Sequence, residues 1–227
     1  MISALKRRGF RWGGGMLSPD HGRFLLNIPK NASSYLSSWS HALGWSHTWC
    51  GELPNTVKET CVILRDPVDR WISGMAQYLN GYILHVRGPQ GPVFSGDPFD
   101  PTLDRKITAD MFIEHYNMLV ERIIFDQVNR FDDHVWPQSE LCENVCVGMN
   151  RSYIMIDEAF DQKMTAYFGV GPVPDLYRNS GLDNLDQHRL QEFLRSRLTQ
   201  RPELRERVIN AYADDYAFIE RARNEMV

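Results

Sequence analysis

A chain of 227 residues, 43% hydrophobic and 24% charged, can enclose a substantial core and has the composition of a folded globular protein. Its formal charge of −4 excludes a broad nucleic-acid surface, which needs clustered Lys and Arg. It contains no run of about 18 apolar residues that would let a helix cross a bilayer, and four cysteines are too few for a disulfide scaffold.

Residues 1–22 read as a loose lead-in, with Gly13-Gly14-Gly15 and Ser18-Pro19-Asp20 breaking any regular pattern. Met1 to Arg8 carries charge without the apolar stretch of a signal peptide, so the chain reads as cytoplasmic. Residues 23–28 form a short apolar run suited to a buried strand. Ser33 or Ser34 can cap the following helix, which carries Tyr35, Trp39, Ala42 and Leu43 at helical spacing and ends at Gly44. Residues 46–49 offer a second strand, and residues 60–64 a clearer one. Asp66-Pro67 opens a helix with Ile72, Met75, Ala76 and Leu79 on one face. Gly and Pro crowd residues 80–107, the pattern of an irregular loop that shapes a binding site. Helical periodicity returns over 109–125, a strand over 153–156, and helices over 158–168, 186–198 and 203–223. Strands alternating with helices predict a single three-layer α/β domain over 1–227, with a mostly parallel sheet flanked by helices. Cys142 and Cys146 lie four apart with no matching second pair, so both read as reduced structural thiols.

Two segments carry chemistry. In Ile28-Pro29-Lys30-Asn31-Ala32-Ser33-Ser34 a buried strand turns directly into a helix, aiming unpaired N–H groups and the positive end of a helix dipole at one point. Lys30 adds a mobile charge and the serines add hydroxyl donors. The segment suits a phosphate, yet it lacks the G-x-x-x-x-G-K-[ST] pattern of nucleotide triphosphatases, and a plain capped helix after a Pro turn fits it equally well. In Arg65-Asp66-Pro67-Val68-Asp69-Arg70-Trp71-Ile72-Ser73 an arginine ends a buried strand, at the edge where open α/β sheets bind ligands. Ser73 follows about two helical turns on and suits the same anion. Asp66 and Arg70, spaced i, i+4, also fit an ordinary ion pair at a helix start.

Together the two segments resemble the sulfotransferases that use 3′-phosphoadenosine 5′-phosphosulfate (PAPS). In that family a Pro-Lys-x-(Gly/Ala)-(Thr/Ser)-(Ser/Thr) turn grips the 5′-phosphosulfate and an Arg-Asp-Pro-x-x-Arg-x-x-Ser strand end grips the 3′-phosphate. The resemblance is greatest to carbohydrate O-sulfotransferases of the heparan-sulfate type. It extends through Asp133-His134-Val135-Trp136-Pro137-Gln138, the strand leading to Asp157-Glu158, and Tyr212-Ala213-Asp214-Asp215-Tyr216. Ala32 departs from the glycine of many relatives. The resemblance implies a fold like that of P-loop nucleotide triphosphatases, a bacterial or viral type of relative, and transfer of a sulfuryl group from PAPS to a hydroxyl, leaving PAP.

It also implies roles. Lys30 neutralises the leaving group, Lys30, Asn31, Ala32, Ser33 and Ser34 hold the phosphosulfate, and Arg65 and Ser73 hold the 3′-phosphate. Arg178-Asn179-Ser180 matches the place where relatives close a loop over the nucleotide. No metal is expected. The general base lies among His47, Glu52, His134 and His85, and His47 is favoured because it sits between the two anion segments and a histidine accepts protons near neutral pH. Ser46-His47-Thr48-Trp49-Cys50-Gly51-Glu52-Leu53 resembles the stretch bearing the catalytic histidine in 6-O-type enzymes. The acceptor expected is a neutral glycan or small alcohol. A PAP-binding module without activity, and less so a nucleotide kinase, are the rival readings.

Overall fold

A computed structural model describes residues 13–80, 109–131, 133–145, 150–171 and 185–223. They divide into two compact units: Met1–Pro67 with Trp136–Asn179 and Ala213–Val227, and Val68–Val135 with Ser180–Tyr212.

The first unit is built on a five-stranded sheet: β1 (Gly14–Leu17), β2 (Arg23–Leu26), β3 (Ser46–Trp49), β4 (Glu59–Leu64) and β5 (Asn150–Met155), in the order β3-β1-β2-β4-β5. β2, β4 and β5 pair in parallel, while β1 is antiparallel to both β2 and β3. β3 therefore runs with β2, and β1 alone is reversed. β2 and β4 are apolar on successive residues because both faces are covered. Met16, Leu25, Cys61, Ile63 and Ile154 face α1 (Ser33–Ala42) and α6 (Phe160–Phe168), where the Trp39 and Phe168 rings meet at a tilt, 5.0 Å between centroids. Phe24, Leu26, Val62, Leu64 and Tyr153 face α5 (Gln138–Val145) and α9 (Ala213–Ala222). Helix, sheet and helix are the three layers expected of an α/β fold.

Gly14–Leu17 correct the reading of residues 1–22 as a loose lead-in. The glycines allow close approach here: a Cβ on Gly15 would run into the Leu25 carbonyl oxygen and the Phe24 ring. That requirement is tertiary, and locally a triple glycine looks only like flexibility.

The second unit, among its described residues, is helical. It holds α2 (Pro67–Tyr78) from Val68 onward, α3 (Ala109–Glu114), α4 (Met118–Asp126), α7 (Leu185–Gln200) and α8 (Pro202–Ala211). Trp71, Ile72, Met75, Ala76 and Leu79 pack with Ile124, Phe125, Leu190, Leu194 and Val208. The helix expected over 109–125 is two, because the Asn117 side chain accepts the N–H groups of Leu119 and Val120 and starts α4 afresh. The helix expected over 203–223 likewise breaks at Tyr212, whose hydroxyl donates to the Val135 carbonyl. No described helix is long and apolar enough to cross a membrane.

Candidate active site

The C-terminal ends of β2, β4 and β5 share one edge of the sheet, and there the chain turns from β2 into α1. Asn31 donates its N–H to the Ile28 carbonyl at 3.1 Å, closing a turn with Pro29 and Lys30 at its centre. Lys30 has φ 67°, the positive value that a type II turn demands at its third position and that glycine ordinarily supplies. Two residues on, Ala32 has φ 58° and ψ 20°. The left-handed region costs a non-glycine residue about 1–2 kcal/mol, and two such residues in three are held only where surroundings over-determine them. Entering and leaving that region turns successive N–H groups toward one side, the geometry of an anion-holding nest.

α1 opens at Ser33 with Ala32 as its N-cap and no side-chain cap. The expectation that Ser33 or Ser34 caps the helix is thus corrected: both lie inside the first turn, and their N–H groups are left for an external acceptor. Asn31, expected to help hold the phosphosulfate, spends its N–H groups within the chain. Its N–H closes the turn, and its side chain, 1% exposed, points inward to donate to the Ile63 carbonyl and to Gln138 Oε1, each at 2.8 Å.

Arg65 immediately follows β4. One guanidinium nitrogen donates to the Lys30 carbonyl at 2.9 Å, so both sequence segments meet in one place. Two cations and an uncapped helix N-terminus there make a site for a polyanion. Behind them lies Gln138, fully buried, which donates to the Arg65 carbonyl at 2.8 Å and accepts from the Arg65 N–H at 3.2 Å. Asp215, also fully buried, accepts from the N–H groups of Gln138 and Ser139 and from the Ser139 hydroxyl at 3.0, 2.9 and 2.6 Å. Both residues lie within segments that carry the family resemblance, Asp133 to Gln138 and Tyr212 to Tyr216, but the sequence alone assigns them no role. The local signal was Pro137 preceding a polar run, a helix start that needs capping.

His47 lies on β3, opposite Met16, which in turn pairs with Leu25. It is therefore level with mid-strand β2, two strands away, roughly 10 Å at ~4.8 Å per strand. This corrects its expected emergence at the ligand edge. It is exposed, and its ring meets Trp49 edge-on at 5.2 Å. Glu52, exposed, lies beyond the strand in the 3₁₀ turn Cys50–Glu52, toward the edge bearing Lys30. Among the nearby tryptophans, Trp39 and Trp45 are core residues and Trp49 is 36% exposed. In the second unit, half-buried Ser73 lies on α2, and His134 Nε2 is 2.9 Å from Gln77 Nε2. Arg178, His85, Cys146 and the stretch from residue 81 to 107 lie outside the described residues, among which no metal-binding cluster occurs.

The profile of the sulfotransferase family matches residues 53–219, well over half of the chain. The match takes in Arg65 to Ser73, Gln138 and Asp215; the Pro29–Ser34 turn, His47 and Glu52 precede it. No curated protein and no solved structure matches the chain.

Proposed function

This chain belongs to the sulfotransferase family, and we propose that it moves a sulfuryl group from PAPS to a hydroxyl of a carbohydrate or small alcohol. The observation that carries this reading is the pairing of a strained Pro29–Ser34 turn, left-handed at Lys30 and Ala32, with Arg65 bonded to its backbone. One anion seat at a helix start and a second cation at a neighbouring strand end suit a nucleotide carrying separate 5′ and 3′ phosphates.

In this mechanism the acceptor oxygen attacks sulfur in line, as the bond from sulfur to the bridging phosphate oxygen breaks. PAP leaves with that oxygen, and the hydroxyl proton passes to a base. Most of the acceleration comes from positioning and from charge stabilisation. Lys30 neutralises the leaving oxygen, the N–H groups and hydroxyls of Ser33 and Ser34 hold the 5′-phosphosulfate, and Arg65 holds the 3′-phosphate. His47 is the proposed base. The position of Glu52 beyond β3, nearer the ligand edge, favours the carboxylate as its rival. The formal charge of −4 favours a neutral acceptor over a sulfated polyanion.

Calorimetry with PAP tests the donor. Binding is expected, with a rise in melting temperature by mass action, and no heat at millimolar PAP refutes the reading. Lys30→Ala should then lower turnover far more than PAP affinity, because its interaction strengthens as charge develops on the leaving group. His47→Ala should cut turnover by at least about a hundredfold with PAP affinity intact; the same loss in Glu52→Gln alone would transfer the role to Glu52.

A further inference from the structure

Trp136-Pro137-Gln138 and the Asp215 segment have no task in the mechanism above, yet they meet directly behind the donor site. We propose that Gln138 is a positioning residue that locks the Lys30 turn to the Arg65 strand end, so that both phosphates of one donor are gripped in a fixed register. This rests on the donor reading and adds to it the element that joins its two halves.

The geometry is specific. At Arg65 the chain leaves β4, and the carboxamide of Gln138 takes both polar groups of that residue's backbone, as a neighbouring strand would. The same Oε1 accepts from Asn31 Nδ2, so one oxygen holds the strand end and the turn together. Neither amide can be reversed. A flipped Gln138 would set its NH₂ against the N–H of Arg65 and the NH₂ of Asn31, and a flipped Asn31 would set its oxygen against Ile63 O and Gln138 Oε1. Gln138 is in turn fixed by its place in the first turn of α5, whose N–H groups Asp215 caps from α9. Asn31, Gln138, Ser139 and Asp215 are buried and Arg65 is half-buried, and at the buried groups an unmade hydrogen bond costs about 1–3 kcal/mol. A displacement of about 1 Å at such a site is worth about a hundredfold in rate.

The test compares PAP with adenosine 5′-phosphate, which lacks the 3′-phosphate. The ratio of their dissociation constants reads how much the 3′ seat adds once the 5′ seat is filled. Gln138→Met keeps the shape and loses every bond; Gln138→Glu keeps the acceptor and loses the donor to the Arg65 carbonyl. Measured by calorimetry well below each melting transition, the ratio should fall at least about tenfold in Gln138→Met and by less in Gln138→Glu. If Gln138→Met does not fold, a fall in Gln138→Glu supports the proposal on its own. A folded variant with a lower melting temperature but an unchanged ratio would make Gln138 a mere packing residue and overturn the proposal alone. Wild-type protein that binds no PAP overturns the donor reading and this proposal with it.

Discussion

Ala32 and Lys30 sit in backbone conformations that glycine would occupy without strain, in the turn proposed to hold the donor. The Ala32 methyl is half-buried against the core beneath α1, a small contact beside the left-handed penalty that Ala32→Gly should relieve. Part of that gain is offset because glycine widens the unfolded ensemble by roughly 0.5–1 kcal/mol. The expected net is a stabilisation of up to about 1 kcal/mol, read as a higher urea midpoint with unchanged slope; a loss of more than about 1 kcal/mol would mean that the Ala32 methyl packs usefully. The turn was legible in the sequence because Pro29, Lys30 and the small residues after them are local signals. The inward aim of Asn31 was not, since its partners are contributed by Ile63 and Gln138, far along the chain.

Single side chains and single close approaches shape the helices here. In α2, a Cβ on Gly74 would run into the carbonyl of His134, a backbone atom that cannot swing aside. Gly74→Ala should therefore destabilise the helical unit by at least about 2 kcal/mol, although alanine is the better helix former at an open site. Thermal denaturation followed by circular dichroism measures this, and an unchanged or higher melting temperature would contradict the contact. The apolar pattern over 109–125 continues through residues 115–117, which is why periodicity reads one helix there. The break is set by Asn117, a capping residue whose signal is weaker than the pattern it interrupts. β2 and β4 were legible for the opposite reason: each is a short apolar run bounded by Gly, Pro or charge, and burial on both faces demands that composition.

One buried thiol and two half-buried phenols set how the fold as a whole responds to alkali. Burial pushes the Cys61 thiol from an ordinary value of 9.0 up to about 12. Burial likewise lifts the phenols of Tyr116 and Tyr167 above their ordinary 10.0. All three must stay neutral in the folded chain, so their stabilising effect is complete below pH 9 and is lost as pH climbs through the folded values. Urea midpoints should hold steady to about pH 9 and fall from there toward pH 12. Cys61→Ala, weaker at neutral pH because of the small cavity it leaves, should lose less between pH 9 and 11. A flat profile in the wild type to pH 12 would refute this. Cys61 and Tyr167 belong to the sheet unit and Tyr116 to the helical one, so each unit carries its own alkaline lability.

The edge-on contact of His47 with Trp49 has an optical consequence. An imidazolium quenches a neighbouring indole more strongly than a neutral imidazole does, and Trp49 is partly open to solvent while Trp39 and Trp45 are sealed in the core. The red-shifted component of the emission that disappears in Trp49→Phe is therefore a built-in reporter on the proton of the proposed base. It follows that group's charge in the resting protein, without acceptor, donor or turnover.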